Sequence, residues 1–337
     1  GCILAGLAGS SYIGFVVGFG IFGGIGIGFG YAAATPAAVK WFPASKTGLI
    51  AGLVVAGFGL ASVYIAPTAQ ALLSAYGVST TMVIFGISFF VIVVGLSQLL
   101  RNPPAGYIPV DSRAEHRPQH LASSKPPVEM DWHQMIRTPN FWVFWTMYVF
   151  GAAAGLMVIG SAAGMAKAAL GQYAFWAVAV LAIGNAGGRI LAGVVSDKIG
   201  RQMTLFFAFM LQSVMVLVPL YFGNYAIALL LAVLLIGACY GANLTLFPAA
   251  TKDQFGLKSF GLNYGIMFTA WGVGGLILPR VAGMVKDITG KEDIAFYIAS
   301  ALMICGAILA LANKGKTSPQ PTDKNKPVLP KRHATGT

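Results

Sequence analysis

The chain has 337 residues, of which 57% are hydrophobic and only 9% are charged. A soluble domain carries roughly 25% charged residues, so this sequence has too little charge to cover a water-facing surface. The 43 glycines suit close helix contacts in a membrane, and the lack of a G-X-Y period excludes collagen. The composition predicts an all-α integral membrane protein.

The net charge of +12 comes from Lys and Arg residues in short loops and a tail, not along one helix face. This distribution argues against a nucleic-acid partner. The three cysteines lie in apolar runs without metal-ligand spacing, so we expect no disulfide framework, no metal site and no cofactor. They are Cys2, Cys239 and Cys305.

A spanning helix needs about 20 apolar residues. The first apolar run, 1–42, is about twice that length and predicts two spans that turn near Val17–Phe19. The remaining predicted spans are 48–70, 81–100, 140–166, 171–195, 203–222, 225–250, 262–285 and 294–312.

The segment 101–138 is a polar linker rich in Pro, Ser and Arg, and its end, Met130–Ile136, predicts a short amphipathic helix. Its histidines are more typical of a solvated linker than of a metal site. They are His116, His120 and His133.

Basic residues fall unevenly on the two sides of the predicted spans. One side carries 17 of the 22 Lys and Arg residues and the other carries three. The positive-inside rule then places the linker 101–138 and the disordered basic tail 313–337 in the cytoplasm. We expect a multi-pass protein of the cell membrane, inner or plasma, that functions as a monomer.

An internal repeat links the two halves. The order aromatic residue, basic pair, glycine-rich helix occurs with GLVVAGFGLAS from Gly52 and again with GIMFTAWGVGG from Gly265. The repeat divides the chain into a four-helix remainder of an N-terminal bundle (1–100), the linker (101–138), a six-helix C-terminal bundle (139–312) and the tail (313–337). Parallel repeats of six spans are typical of major facilitator transporters.

Several motifs carry a closer resemblance. The segment from Gly193 to Arg201 resembles the G-x-x-x-D-[RK]-x-G-[RK] loop of the major facilitator superfamily. KWFP, RNPPAGY, FPAATKDQFG and NYGIMFTAWGVGG resemble the oxalate:formate antiporter family within it. The resemblance implies a secondary active transporter with ten of twelve transmembrane helices in two pseudo-symmetric bundles. The first two would precede Gly1, where the chain opens without Met inside an apolar run.

The resemblance also implies site residues. The family's oxalate carriers bind a dianion with an arginine, which matches Arg189, and a lysine, whose position is occupied here by Trp271. One cation facing two carboxylates disfavours oxalate. We expect a monoanion resembling formate, lactate or pyruvate, moved by antiport or with protons. An oxalate:formate exchanger and an inactive or sensor protein remain alternatives.

Helix arithmetic places candidate residues at one depth. At 1.5 Å per residue, Arg189 lies ~12 Å from the mouth of its span, Trp271 up to ~20 Å, and Tyr31 and Tyr240 ~16 Å. A buried arginine normally has a partner. Arg189 could bind a small carboxylate, or it could bond backbone carbonyls or Asn185 and lock helices. Two weaker substrate candidates are Tyr64 and Asn243.

The loop motif predicts a gate. We expect Asp197, Lys198 and Arg201, with Gly193, to form an inter-helix charge network that closes the cytoplasmic side. The alternative is a solvated loop that follows the positive-inside rule.

Two further patterns weigh against other classes of function. The run Gly18–Gly23 matches G-x-G-x-x-G but follows no soluble strand, so no nucleotide is expected. We expect Gly20, Gly24 and Gly28 to form a small-residue stripe for tight packing. The spans hold no cluster of His, Cys or acidic residues, which disfavours an enzyme.

Overall fold

The computed structural model describes residues 1–43, 46–104, 107, 109, 129–290 and 293–313. Most of the predicted linker, with His116 and His120, and the tail from 314 onward lie outside these residues. Within them the chain is helical. The helices are α1 (Cys2–Leu7), α2 (Tyr12–Phe15), a π-helical segment (Val16–Gly23), α3 (Gly24–Val39), α4 (Thr47–Ser97), α5 (Trp132–Ile136), α6 (Pro139–Leu170), α7 (Phe175–Ile199), α8 (Arg201–Met215), α9 (Val218–Phe222), α10 (Ala226–Phe255), α11 (Phe260–Thr289) and α12 (Asp293–Ala312).

The described residues include nine helical stretches long and apolar enough to cross a membrane, which confirms the predicted all-α membrane fold. The expected turn near Val17–Phe19 is wrong. One stretch runs through it from Tyr12 to Val39, preceded by the six-residue α1. The chain reverses earlier because Gly9 adopts a left-handed φ of 60° and Ser11 Oγ caps α2 through the amide of Gly14.

Helix α4 contains two predicted spans. Its 51 residues are helical except at Gly77, whose φ of 73° and ψ of 179° interrupt the helix between the predicted spans 48–70 and 81–100. Only glycine adopts such a backbone conformation at low cost. Helix α4 includes two stretches long and apolar enough to cross a membrane, Gly48–Ile65 and Thr68–Ser97, and the interruption lies within the second.

The short helix expected at Met130–Ile136 is present as α5. Asp131 begins it with a capping box, in which Asp131 and Gln134 bond each other's backbone amides. Just before it, Glu129 accepts hydrogen bonds from the amides of Leu257 and Lys258 at 3.3 and 2.8 Å. The end of the linker is thus attached to the turn between α10 and α11.

Glycines bring α7 and α10 into backbone contact. A Cβ at Gly188 would lie 2.1 Å from the carbonyl oxygen of Ala238, and one at Gly241 would lie 2.1 Å from that of Asn185. Small residues permit this approach between helices in lipid. The α7–α10 contact fixes the two helices that carry Arg189 and the residues opposite it.

The predicted stripe of Gly20, Gly24 and Gly28 is wrong. A Cβ at Gly24 or Gly28 would meet nothing within 4 Å, and one at Gly20 would touch only Val16 of the same stretch. The buried part of α3 begins further along, at Tyr31. Tight packing of the described helices therefore uses other glycines.

The helices divide at the linker into two groups. The first helix group is α1–α4 and the second helix group is α6–α12. The linker face is the side of the molecule where α4 begins and α7 ends.

Candidate functional site

Arg189 lies on α7 and is 2% exposed. Its Nε donates to Oδ1 of Asn185, one turn earlier on the same helix, at 3.0 Å. Its Nη1 donates to the carbonyl oxygen of Val55 on α4. Among the residues that the structure describes, it pairs with no carboxylate. Asn185 thus orients the guanidinium, and Val55 ties it to the first helix group.

Tyr240 lies beside it on α10, positioned by the glycine contact with α7. Its side chain is almost fully buried, and Trp271 Nε1 on α11 donates to its hydroxyl oxygen at 2.8 Å. The next residue, Gly241, touches the backbone of Asn185, one turn from Arg189 on α7. Three helices of the second group therefore contribute to one cluster: α7 through Arg189, α10 through Tyr240 and α11 through Trp271.

Tyr31 joins this cluster from α3. Its ring stacks on Phe268 at a centroid distance of 4.8 Å, and Phe268 stacks on Trp271 at 5.4 Å. The Tyr31 hydroxyl donates to the carbonyl oxygen of Leu244 on α10 at 2.9 Å. Tyr31 and Arg189 thus each make a hydrogen bond from one helix group to the other.

Sequence reasoning missed three aromatic residues of the cluster: Tyr148, Tyr264 and Phe268. Tyr148, on α6, stacks on Phe247 with ring centroids 4.1 Å apart. Tyr264, on α11, has its ring centroid 6.0 Å from that of Tyr31. Both tyrosine rings lie beside Phe268, with centroid distances of 6.0 Å for Tyr148 and 5.6 Å for Tyr264. The spacing of Tyr264, Phe268 and Trp271 was the available signal, because residues four and three apart share one helix face.

Two predicted residues lie apart from the cluster. Tyr64 is 61% exposed and has no ring contact with the others in the described part of the chain. Asn243 is buried against α6, where a Cβ at Gly151 would lie 2.6 Å from Asn243 Nδ2, and its amide makes no hydrogen bond to a described residue. The structure therefore brings together four of the six substrate candidates: Arg189, Trp271, Tyr240 and Tyr31.

A charge network lies nearer the linker face. Asp197 accepts hydrogen bonds from the amides of Gly48 and Leu49, in the first turn of α4, at 3.1 Å each. Arg201 Nη1 lies 2.6 Å from Asp197 Oδ1, and its Nε lies 2.9 Å from Oδ2 of Asp253 on α10. A carboxylate at a helix N-terminus is favoured by the unsatisfied amides and the helix dipole. The network thus joins α4 to α7, α8 and α10.

The other motif residues have different environments. A Cβ at Gly193 would lie 2.3 Å from the carbonyl oxygen of Gly48, so this glycine lets α4 approach α7. Lys198 is exposed and makes no ion pair with any described residue. Ser196 accepts a hydrogen bond from Arg201 Nη1 at 2.6 Å. Ser196 and Asp253 are members of the network that the motif did not indicate.

The chain resembles known membrane transporters. It is 27% identical over 260 residues to the uncharacterized MFS-type transporter YhjX of Escherichia coli (strain K12), covering 76% of this chain and 62% of that protein. It is 29% identical over 257 residues to the oxalate:formate antiporter of Oxalobacter formigenes, covering 73% and 57% of the two chains. The chain thus spans about three-fifths of the length of these relatives.

The fold matches a solved transporter. The Escherichia coli fucose:proton symporter superposes with a TM-score of 0.64 at 16% identity, covering 94% of this chain and 82% of the symporter. The family model of the Major Facilitator Superfamily matches twice, at residues 1–168 and 149–335, as expected for an internal repeat. The chain is a multi-pass membrane protein that belongs to the Major Facilitator Superfamily.

Proposed function

We propose that this protein is a secondary active transporter that moves a small carboxylate, carried as a monoanion, by alternating access. The observation that carries the proposal is Arg189, a buried cation on a spanning helix with no carboxylate partner among the described residues. An arginine at the centre of a spanning helix costs about 2.5–3.5 kcal/mol on insertion scales, so it normally has a functional role. A guanidinium binds a carboxylate with two parallel hydrogen bonds.

The charge of the cluster favours a monoanion. Tyr31, Tyr240 and Trp271 contribute neutral side chains to the cluster, and Arg189 is its one cation among the described residues. A second carboxylate would lie in a low-dielectric site without a cation of its own. Formate, lactate and pyruvate fit this charge. Oxalate exchange, as in the named relative from Oxalobacter formigenes, is the alternative.

The contacts between the helix groups favour exchange as the mode of transport. Asn185, on the same helix, accepts from Nε of Arg189, so a carboxylate would bind the other end of the guanidinium, Nη1 and Nη2. Nη1 carries two hydrogens, and exchange in this proposal requires the carboxylate to take the one that the Val55 carbonyl accepts. Substrate binding would then release one tie between the helix groups, and the empty carrier would change conformation more slowly than the loaded one. Proton coupling would require a titratable carboxylate near this depth.

The charge network serves as the gate in this proposal, with the linker face in the cytoplasm by the positive-inside rule. Asp197 and Arg201 hold α4 against α7 and α10 in the conformation described here. Passage of substrate to the cytoplasm requires α4 to separate from these helices. Lys198 then acts only through its charge on the exposed surface.

The test is counterflow with the full-length natural protein in liposomes. Labelled formate, lactate and oxalate are offered separately to the wild type, to Arg189→Gln and to Arg280→Gln. Arg280 is the matched control because it is exposed and lies near the outer end of α11. We expect uptake of a monoanion that Arg189→Gln abolishes and Arg280→Gln retains.

Four outcomes would overturn parts of the proposal. Oxalate uptake equal to that of the monoanions would remove the single-cation argument. Monoanion uptake that persists in Arg189→Gln would remove this site. Failure of the folded wild type to move any carboxylate would indicate an uncharged substrate or a sensor. Release of preloaded label at the same rate with and without external substrate would exclude the exchange mode.

A further inference from the structure

We propose that a groove on the second helix group, at the end away from the linker face, binds one anionic phospholipid, with an acyl chain in the groove and the phosphate at Lys167 and Lys286. The inference goes beyond the proposed function and does not depend on the substrate. The groove encloses about 370 Å³ between α6, α11 and the start of α12. Its lining includes Met157, Gly160, Gly164, Pro279, Gly283 and Phe296.

The lining comes from one face of each of two long helices. On α6 it includes Gly160 and Gly164, one turn apart, and on α11 it includes Pro279 and Gly283, also one turn apart. Residues three or four apart share one face of a helix, so each helix contributes one continuous row to the groove. Phe296 of α12, which is 3% exposed, adds a third wall.

The groove extends over about the depth of one leaflet. Helices α6 and α11 both begin at the linker end and finish on the opposite side, at Leu170 and Thr289. At 1.5 Å per residue, Gly164 and Gly283 each lie ~9 Å below these helix ends, and Met157 lies ~20 Å below the end of α6. Half of a hydrocarbon core of ~30 Å is ~15 Å. A groove of this depth suits an acyl chain that runs along the helices.

The glycines of the groove are not used for helix contact. A Cβ at Gly160, Gly164 or Gly283 would meet nothing within 4 Å. Nearer the linker face the same two helices do use a glycine for contact, since a Cβ at Gly274 of α11 would lie 2.5 Å from the carbonyl oxygen of Val149 on α6. The two helices therefore pack closely at depth and leave open space further out, where the missing side chains make room for methylene groups.

Positive charge lies at the mouth of the groove. Lys286 lines the groove three residues after Gly283, and Lys167 follows Gly164 by three residues on α6. Each exposed lysine is thus about one turn nearer the helix end than a groove glycine on the same side of its helix. Asp293 lies in the first turn of α12, where the helix amides favour a carboxylate. The sum of these three charges is positive, and lysines near a membrane surface attract anionic headgroups.

The walls of the groove favour a lipid over a soluble anion. They belong to stretches of α6, α11 and α12 that are apolar enough to cross a membrane. Ser161 contributes the one hydroxyl of the described lining, and that hydroxyl donates to the carbonyl oxygen of Met157 at 2.9 Å. A ligand that fits therefore has a long apolar part and a negative charge at one end. A zwitterionic lipid would place its own ammonium group beside two lysines and should bind less tightly.

The test counts the lipids that stay bound to the full-length natural protein. The protein is placed in vesicles of equal parts phosphatidylglycerol and phosphatidylcholine with identical acyl chains, extracted into a mild detergent and measured by native mass spectrometry. We expect the wild type to retain one tightly bound phosphatidylglycerol. Replacing both Lys167→Gln and Lys286→Gln should lower its occupancy at least about fivefold, which is the contribution of one lysine near an anionic surface. Lipids bound by basic residues at the linker face remain in both proteins.

The groove itself is tested by Gly164→Leu, which keeps both lysines and places a side chain in the open space. Gly160→Leu does the same one turn deeper, and each variant should lower the occupancy of the same lipid by a similar factor. Arg280→Gln is the control for charge, because it removes a cation of α11 that does not line the groove. Gly26→Leu is the control for size, because it adds the same side chain at an exposed glycine of α3 with equally open surroundings. Both controls should keep the wild-type occupancy.

Three results would overturn the inference. Equal occupancy in the wild type and the double lysine variant would remove the role of the lysines, and an equal fall in Arg280→Gln would show that any positive charge on α11 serves. A fall in the lysine variant without a fall in Gly164→Leu and Gly160→Leu would indicate a surface contact with the headgroup and no lipid in the groove. Equal retention of phosphatidylcholine at the position that these glycine variants remove would exclude selection of an anionic lipid.

Discussion

Replacing Asp197 by Asn tests the charge network, because the amide keeps the shape of the side chain and loses its charge. The carboxylate accepts bonds from two amides in the first turn of α4 at 3.1 Å and lies 2.6 Å from Arg201. The side chains of Asp197 and Arg201 are each 11% exposed, so solvent and salt screen this pair less than a surface pair.

The magnitude of the effect can be worked from these contacts. A carboxylate at a helix N-terminus contributes about 0.3–1 kcal/mol, and up to about 2 kcal/mol when partly buried. In Asp197→Asn the side-chain amide would still accept one of the two backbone amide bonds, and Arg201 would keep its bond to Asp253. We expect Asp197→Asn to destabilise the conformation with α4 closed on α7 by about 2 kcal/mol relative to the open conformation. This corresponds to roughly a 30-fold shift in the equilibrium toward the open form.

The assay is the distance between spin labels at Lys46 and Lys258, which are exposed at the starts of α4 and α11. The native cysteines are first replaced so that only these two positions react. We expect Asp197→Asn to add a population at longer distance. Lys198→Gln is the control, because Lys198 is exposed and lies beside Asp197 without an ion pair to any described residue. An open-to-closed ratio within about threefold of wild type in Asp197→Asn, or an equal shift in Lys198→Gln, would refute the reasoning.

Three other substitutions probe neighbouring contacts. Gly193→Ala places a methyl group 2.3 Å from an α4 carbonyl oxygen and should destabilise the closed conformation by about 1–3 kcal/mol. Gly187→Ala, on the same helix with open space around it, should leave the label distance unchanged. Tyr31→Phe removes the bond to Leu244 and should raise the open population about two- to tenfold in the same measurement, by the net value of one hydrogen bond. Asp253→Asn should change the free energy of the closed conformation relative to the open one by less than about 1 kcal/mol, because the Asp253 side chain is 42% exposed. A change as large as that caused by Asp197→Asn would contradict the greater weight given to Asp197.

Composition and repeat were sufficient to predict the class of fold. Low charge and long apolar runs specify spanning helices in any arrangement, because each span must satisfy its own backbone hydrogen bonds in lipid. The predicted ends of most later spans lie within a few residues of the observed helices. The turn at 1–42 was misplaced, since an apolar run shows no periodic break and the reversal depends on Gly9 and Ser11 alone.

The site was predicted in part, for a reason that Asn243 illustrates. Depth along a helix follows from residue count, which placed Tyr240 and Trp271 at a similar depth, and these two side chains are in contact. The direction of a side chain depends on which face the neighbouring helix covers. Tyr240 and Asn243 are three residues apart and both face glycines of α6, Tyr240 at Gly155 and Asn243 at Gly151, yet only Tyr240 also bonds Trp271. The partners that other helices supply decide this, and a single span does not reveal them.

Three contacts fasten the helix groups together between the cluster and the linker face: Tyr31 to Leu244, Arg189 to Val55, and Asp197 to the start of α4. Of these, the bond from Arg189 involves the positively charged group that a carboxylate binds in this proposal. The Asp197 contact is separated from it by about two turns of α4, or about 10 Å. Binding of substrate therefore weakens one tie and leaves two. On the proposed mechanism, Asp197→Asn and Arg189→Gln loosen the same closed form by independent routes, and their effects on label distance should add, whereas their effects on uptake should not, because only Arg189 binds the substrate.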